Sequence, residues 1–154
     1  MSGFSEQDHT YMVRALELAK KAERQSEVPV AAVIVQDNKI ISEAFNAPIS
    51  RHDATAHAEI LAIRKACKEL SNYRIPNTTA YLTLEPCAMC AGALVHARVK
   101  RVIIATKEPR AGAAGSTLNI LQNDNLNHSC EVEYGLFEKE SAEMLRLFFK
   151  SRRK

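Results

Sequence analysis

Apolar residues recur along this chain with two periods, and the alternation between them outlines the fold. Met12, Ala15, Ala19 and Ala22 stand three and four apart, the spacing of one helix face. Ser5 with Asp8 three residues on makes an acidic capping box, so a helix is predicted over about 6 to 24. Val28 to Val35 is an almost unbroken β-branched run, with Pro29 at its start, where a missing N–H costs least. Asp37-Asn38 reads as a turn and Lys39 to Phe45 as a returning strand, which together predict a hairpin.

Asn46 to Asp53 reads as a loop punctuated by Pro48 and Asp53. A helix is predicted from near Thr55, with Ile60, Ile63, Ala66, Cys67 and Leu70 as its apolar stripe. Asn72 to Asn77 breaks it, Thr79 to Leu84 predicts a strand, and Pro86 opens the next helix. Ala91, Gly92, Ala93 and Ala97 leave one side of that helix thin, which suits close packing on a sheet and equally a close subunit contact. Arg101 to Ala105 predicts a strand, 106 to 116 a loop containing Pro109, Gly112 and Gly115, and Leu118 to Gln122 short helical structure. A last strand is expected at Glu131 to Tyr134 and a last helix from Phe137 to Phe149, with Ala142, Leu145 and Phe149 on one face. Strands alternating with helices imply an α/β layer fold. With 154 residues, no internal repeat and no linker, residues 1 to 154 are expected to form one domain.

Composition narrows the class. A hydrophobic content of 46% with five glycines and five prolines argues against disordered and fibrous chains. No run of eighteen apolar residues is present, and the N-terminus carries acids where a signal peptide needs an apolar core. A soluble, cytoplasmic protein with no membrane partner is expected. Four cysteines in such a chain are poor evidence for disulfides; the Cys87/Cys90 spacing points to metal or redox use, and Cys67 and Cys130 read as buried thiols. The net charge of +3 is too mild to indicate nucleic acid. Its placement says more, because Lys150, Arg152, Arg153 and Lys154 follow directly on Phe148 and Phe149. Such a tip can stack on bases and hold phosphates, or can simply be a solvated helix end.

The chemistry lies in two short stretches. His57-Ala-Glu59 is followed, one βα unit later, by Pro86-Cys87-Ala-Met-Cys90, the signature of zinc-dependent nucleobase deaminases. Cys87 and Cys90 share one helix face, and a helix N-terminus favours thiolate over thiol. His57 and Glu59 are two apart, so they reach one site only if the metal lies off the end of their helix. Both helices are therefore expected to point their N-termini at one zinc. His57, Cys87 and Cys90 leave one tetrahedral position open, as a catalytic zinc requires. His9, His52, His96 and His128 stand at no recognisable spacing for a fourth ligand. Two thiolates cancel the charge of Zn²⁺, so a base is needed to help take a proton from water. Glu59, beside the metal without ligating it, has that role and passes the proton to the ring nitrogen next to the attacked carbon.

Beyond these motifs the chain resembles the bacterial tRNA-specific adenosine deaminases over nearly its whole length. The matching stretches are Glu27 to Val30, Asn46 with Arg51-His-Asp53, Thr55 to Ile60, Thr83 to Ala93, Gly112 to Ser116, Leu126 to His128, Phe148-Phe149 and Arg152-Arg153. The zinc motif is shared with cytidine, cytosine, guanine and pterin-type deaminases and leaves the base open. The loop from Glu108 to Ser116 and the basic, aromatic C-terminus tilt the match toward RNA. The resemblance implies a cytidine-deaminase-like three-layer α/β/α sandwich with a central mixed five-stranded sheet, one zinc per chain and a homodimer. It implies a tRNA anticodon stem-loop as substrate, with the wobble adenosine of an arginine tRNA converted to inosine, and no DNA partner. It also implies that Asn46 hydrogen-bonds the purine, that Val28, Pro48 and Leu84 surround it, and that Glu108, Phe149 and Arg152 touch neighbouring nucleotides. Ala31 stands where that family usually has glycine, Glu108 where it has aspartate, and Arg110 where lysine is common. A deaminase of a free base such as guanine or cytosine, and a zinc-stabilised RNA-binding subunit without activity, are the competing readings.

Overall fold

The computed structural model describes residues 3 to 152. The capping box at the first helix forms as the sequence predicts. The Ser5 side chain accepts from the Asp8 N–H, Asp8 accepts from the Ser5 N–H, and α1 runs Glu6–Arg24. β1 (Ala31–Gln36) and β2 (Lys39–Phe45) form the expected antiparallel hairpin. Asp37 and Asn38 both take left-handed angles, φ 51° and 59°, as a tight hairpin turn demands. β1 begins at Ala31 and not at Val28, because the Val30 N–H closes a tight turn onto the Val28 carbonyl at 2.8 Å.

The loop after β2 contains one turn of helix, α2 (Pro48–Arg51), where the sequence suggests only a loop. Its first N–H groups are answered from a distance: the buried Glu27 carboxylate accepts from Ile49 N at 3.3 Å and Ser50 N at 2.8 Å. α3 (Ala58–Leu70), β3 (Thr79–Leu84), α4 (Ala88–His96), β4 (Arg101–Thr106), β5 (Glu131–Tyr134) and α5 (Glu138–Arg152) follow. α3 starts three residues later than the sequence suggests, since Asp53 takes up the Thr55 N–H and hydroxyl in a side-chain turn. The helix predicted at Leu118 to Gln122 is absent. That segment makes turns and an isolated bridge between Ala114 and Asn119, with the Gln122 N–H held by the Asn119 side chain.

The sheet has the order β2-β1-β3-β4-β5, antiparallel on the hairpin side and parallel from β3 to β5. It is the mixed five-stranded sheet of a three-layer α/β/α sandwich. β1 shows why its sequence is apolar throughout: Ala31, Val33 and Val35 pack under α1, while Ala32 and Ile34 face α3 and α4. Each large apolar side chain so enclosed contributes about 1.5–3 kcal/mol.

Two helices turn differently from their predicted stripes. On α3 it is Ala58, Leu61, Ala62 and Ala66 that are buried, while Ile60, Ile63, Cys67 and Leu70 are half-buried. On α5, Leu145 and Phe148 are buried and Phe149 is exposed. Cys130 is buried as expected, and burial pushes its thiol up to about 11; Cys67 is half-buried.

Candidate active site

Two chain reversals create the site. Pro86 and an extended Cys87, φ −73° and ψ 176°, end the β3 path and start α4. An extended His57, φ −71° and ψ 152°, starts α3 in the same manner. Both residues are N-caps, so the unsatisfied N–H groups and positive dipole ends of two helices converge between them. Cys90, one turn into α4, completes the group.

His57 Nδ1 lies 3.4 Å from Cys90 Sγ and 3.7 Å from Cys87 Sγ, and the three donor atoms all lie within 4.8 Å of one another. Tetrahedral zinc with ordinary bond lengths sets its nitrogen and sulfur ligands roughly 3.6 Å apart and its two sulfurs about 3.8 Å apart. The residues fit zinc without rearrangement. Among the described residues no further histidine joins them: His9 meets the Ser5 carbonyl and His128 the Val99 carbonyl. Cys87 is brought down to about 5, first by a hydrogen bond from the Cys90 thiol, and Cys90 is driven up because it keeps the proton. A dication displaces that remaining proton, so metal affinity must rise with pH.

Glu59 stands in the first turn of α3, only 4% exposed, and lines the cavity beside this cluster. Burial is the main reason its carboxyl is pushed up to about 7. It therefore sits where a group can both take and give a proton near neutral pH. Asn46 is oriented from the same helix end. Its Oδ1 accepts the Ala58 N–H at 2.9 Å, which settles the amide's direction and leaves Nδ2 as donor.

These groups floor a cavity of about 430 Å³. Val28, Val30, Leu84 and Leu145 make its walls apolar, and Lys107, Glu108, Arg146 and Phe149 lie at its rim. Ala142, Leu145 and Phe149 do share a face of α5, as their spacing predicts, and that face lines the cavity. A second cavity of about 780 Å³ adjoins it, an open groove lined by Glu108, Arg110, Arg146, Phe149, Lys150 and Arg152. The Arg152 guanidinium stacks over the Phe148 ring at 4.2 Å. Pro48 lines neither cavity; it opens α2, two residues beyond Asn46. Arg153 and Lys154 lie outside the described residues.

Sequence reasoning missed Glu85. It is 2% exposed and accepts from the N–H groups of Glu108, Ala114 and Ser116 at 3.0, 2.9 and 3.0 Å, and from the Ser116 hydroxyl at 2.5 Å. Burial opposes its ionisation, but these donors outweigh that and hold the carboxyl below its ordinary value. The loop approaches so closely that a Cβ on Gly112 would stand 2.4 Å from the Glu85 carboxyl carbon, so only glycine fits there. Glu85 thus anchors the loop carrying Lys107 and Glu108 to the strand end beside Cys87. The available signal was a lone acid between an apolar strand and Pro86-Cys87, matched by a Gly-rich loop with donors to spare.

A metal triad with an open position, a near-neutral carboxyl beside it and an apolar cavity for a ring define a hydrolytic zinc enzyme acting on a small planar group. Comparison with known proteins agrees. Residues 5–106 match the family described as the cytidine and deoxycytidylate deaminase zinc-binding region. The chain is 46% identical over 150 residues to a tRNA-specific adenosine deaminase of Haemophilus influenzae, covering 97% of this chain and 87% of that protein. It is 45% identical over 148 residues to its namesake in Bacillus subtilis, covering 96% and 92%. A solved structure from a study of A-to-I editing by tRNA:A34 deaminases at the wobble position of transfer RNA superposes with a TM-score of 0.85. The two are 40% identical, with 88% of this chain and 99% of that one covered. The chain belongs to the zinc-binding cytidine and deoxycytidylate deaminase family, within its tRNA-specific adenosine deaminase branch.

Proposed function

We propose that this chain, acting as one deaminase domain in the cytoplasm, converts the wobble adenosine of an arginine tRNA anticodon to inosine with release of ammonia. The observation that carries the reading is the continuity of the two cavities. An apolar pocket floored by His57, Glu59 and Cys87 opens through Glu108, Arg146 and Phe149 into a groove with four basic side chains and one acid. Such a pair suits one base turned into a pocket while its strand lies in a cationic groove. A volume of about 430 Å³ is ample for a purine. The names of its relatives support the same substrate.

In this reading His57, Cys87 and Cys90 would hold zinc, which would supply the Lewis acidity that makes water nucleophilic near neutral pH. Glu59 takes a proton from the water that adds to C6 and returns it to N1, so the ring carbon becomes tetrahedral without net charge. The proton of the new C6 hydroxyl then passes through Glu59 to the amino nitrogen, the C–N bond breaks, ammonia leaves and the carbonyl of inosine remains. Asn46 Nδ2 donates to an acceptor on the purine, while Val28 and Leu84 pack against the ring and exclude water. Glu108, Phe149 and Arg152 meet the flanking nucleotides, and Glu85 keeps the Glu108 loop in place.

A second copy of the chain is proposed for the outer face of α3 and α4. Tyr73, 75% exposed, lines a shallow hollow there with Ile63 of α3 and Ala93 and His96 of α4.

The decisive experiment incubates the zinc-loaded protein with an anticodon stem-loop bearing a wobble adenosine, then digests the RNA and analyses it by mass. Inosine at that one position is the expected result. Ammonia released from free guanine or cytosine, with the RNA untouched, would replace this reading by that of a free-base deaminase.

A further inference from the structure

Glu108, Arg146 and Phe149 belong to both cavities and so form the threshold between them. Glu108 and Phe149 are already counted among the substrate contacts; Arg146 is not. It stands four residues after Ala142 and three before Phe149, on the cavity-lining stripe of α5. Helical side chains lean back over the preceding turn, and Ala142 and Arg146 line the inner cavity together.

Its guanidinium is oriented without being used up. Nε and Nη2 donate to the two oxygens of Glu143 at 3.1 and 2.5 Å, and among the described residues these are its only hydrogen bonds. A guanidinium has five N–H groups, so three remain for a second acceptor. Glu143 lines neither cavity, whereas Arg110, Lys150 and Arg152 line the outer groove with Arg146. Glu108 at the threshold is the one acid against these four basic side chains, so the outer groove is net positive and favours an anion on that side. The pair itself is exposed, its side chains 58% and 54% accessible, and a surface pair of that kind adds little to stability.

We propose that Arg146 contacts the phosphodiester joining the target nucleotide to its neighbour. The proposal deepens the RNA reading and rests on it. When a base fills the inner cavity and its neighbour lies in the groove, the linkage between them must cross the threshold. A planar fork with free N–H groups can meet two phosphate oxygens at once, which a lysine cannot do.

The test compares wild type, Arg146→Ala and Glu143→Ala, all zinc-loaded and full-length, on the anticodon stem-loop across about 50 to 200 mM salt. Arg146→Ala should raise KM about tenfold with kcat unchanged, the size of one charge-assisted hydrogen bond. It should also reduce the slope of log affinity against log salt by about 0.7, the single-strand value for one phosphate. Glu143→Ala removes the same ion pair yet leaves the cation, so its KM should stay level or fall. Equal effects of the two substitutions with an unchanged salt slope would mean a surface ion pair only, and the proposal would be wrong. If wild type edits the RNA and Arg146→Ala is indistinguishable from it, this proposal fails while the RNA reading stands. If zinc-loaded wild type makes no inosine in the RNA, both fail.

Discussion

Asp8 and Glu59 are buried to nearly the same depth, 2% and 4% exposed, on opposite faces of one sheet, yet they are held in opposite states. Asp8 accepts from Tyr81 Oη at 2.6 Å, from two Arg101 N–H groups at 3.0 Å each and from the Ser5 N–H at 3.0 Å. Burial opposes its ionisation, but these donors outweigh it and keep the carboxyl below its ordinary value of 3.8. Glu59 has no arginine among its neighbours of this kind, and burial dominates, so its carboxyl rises to about 7. Low exposure alone does not make a carboxylate reactive. How deeply it is enclosed and which donors surround it together decide whether it is locked as scaffold or left able to move a proton. Glu85 is a middle case of another kind: its carboxyl is also held below its ordinary value, but by neutral N–H and O–H donors without a cation.

The contrast is most exposed to failure at Glu59. Glu59→Gln keeps the shape and removes the proton-accepting oxygen, so deamination should fall about 10²- to 10⁴-fold. Metal analysis should still find one zinc per chain, since Glu59 is outside the ligand group. Retained activity would place the base elsewhere. Cys87→Ala, by contrast, should lose zinc and activity together.

At Asp8 the expected effect is on stability alone. Asp8→Asn leaves Arg101 with Glu133 as its remaining carboxylate and should cost about 2 kcal/mol in urea unfolding, with activity at neutral pH retained. The sign of its pH dependence follows from the lowered carboxyl. The ionised pair stabilises the fold above pH 3.8, and that contribution disappears as pH falls through the lower folded-state value. The gap between wild type and variant should therefore close below about pH 3.8. A constant gap down to pH 2 would show that the charge of Asp8 contributes nothing.

Glu85→Gln sharpens the middle case and should have the smallest effect of the three. An amide offers one acceptor oxygen to the loop in place of two, at a cost of about 1–2 kcal/mol. Amide exchange at Ala114 and Ser116 should speed up and KM for RNA should rise several-fold, with zinc content unchanged. If exchange in the loop stayed slow, Glu85 would not be its anchor.

Much of this architecture could be read before any coordinates. The capping box at Ser5 and Asp8, the Asp37-Asn38 turn, the β-branched run of β1 and the Cys-x-x-Cys at a helix start are local signals. Each depends on residues within a few positions of one another, where backbone preference and side-chain reach act alone. The meeting of His57, Glu59, Cys87 and Cys90 was legible for the same reason, because each half of the site lies on one first turn. Other features required distant partners. Whether Phe148 or Phe149 is buried depends on how α5 is rotated over the strand ends, and two adjacent aromatics carry no preference between them. Ile60 and Ile63 were taken for the core stripe of α3, yet the sheet admits the smaller Ala58, Ala62 and Ala66 at close range.

The local chain thus specified most of the elements and the residues that meet at the site. Three-dimensional packing decided the rest: that Glu27 caps N–H groups 22 and 23 residues away, that Glu85 and Gly112 hold the rim loop, and that Arg146 stands between two cavities. The reason is physical. Spacing along a helix or strand is set by backbone geometry, whereas the fate of a buried charge depends on which donors the fold brings to it from elsewhere in the chain.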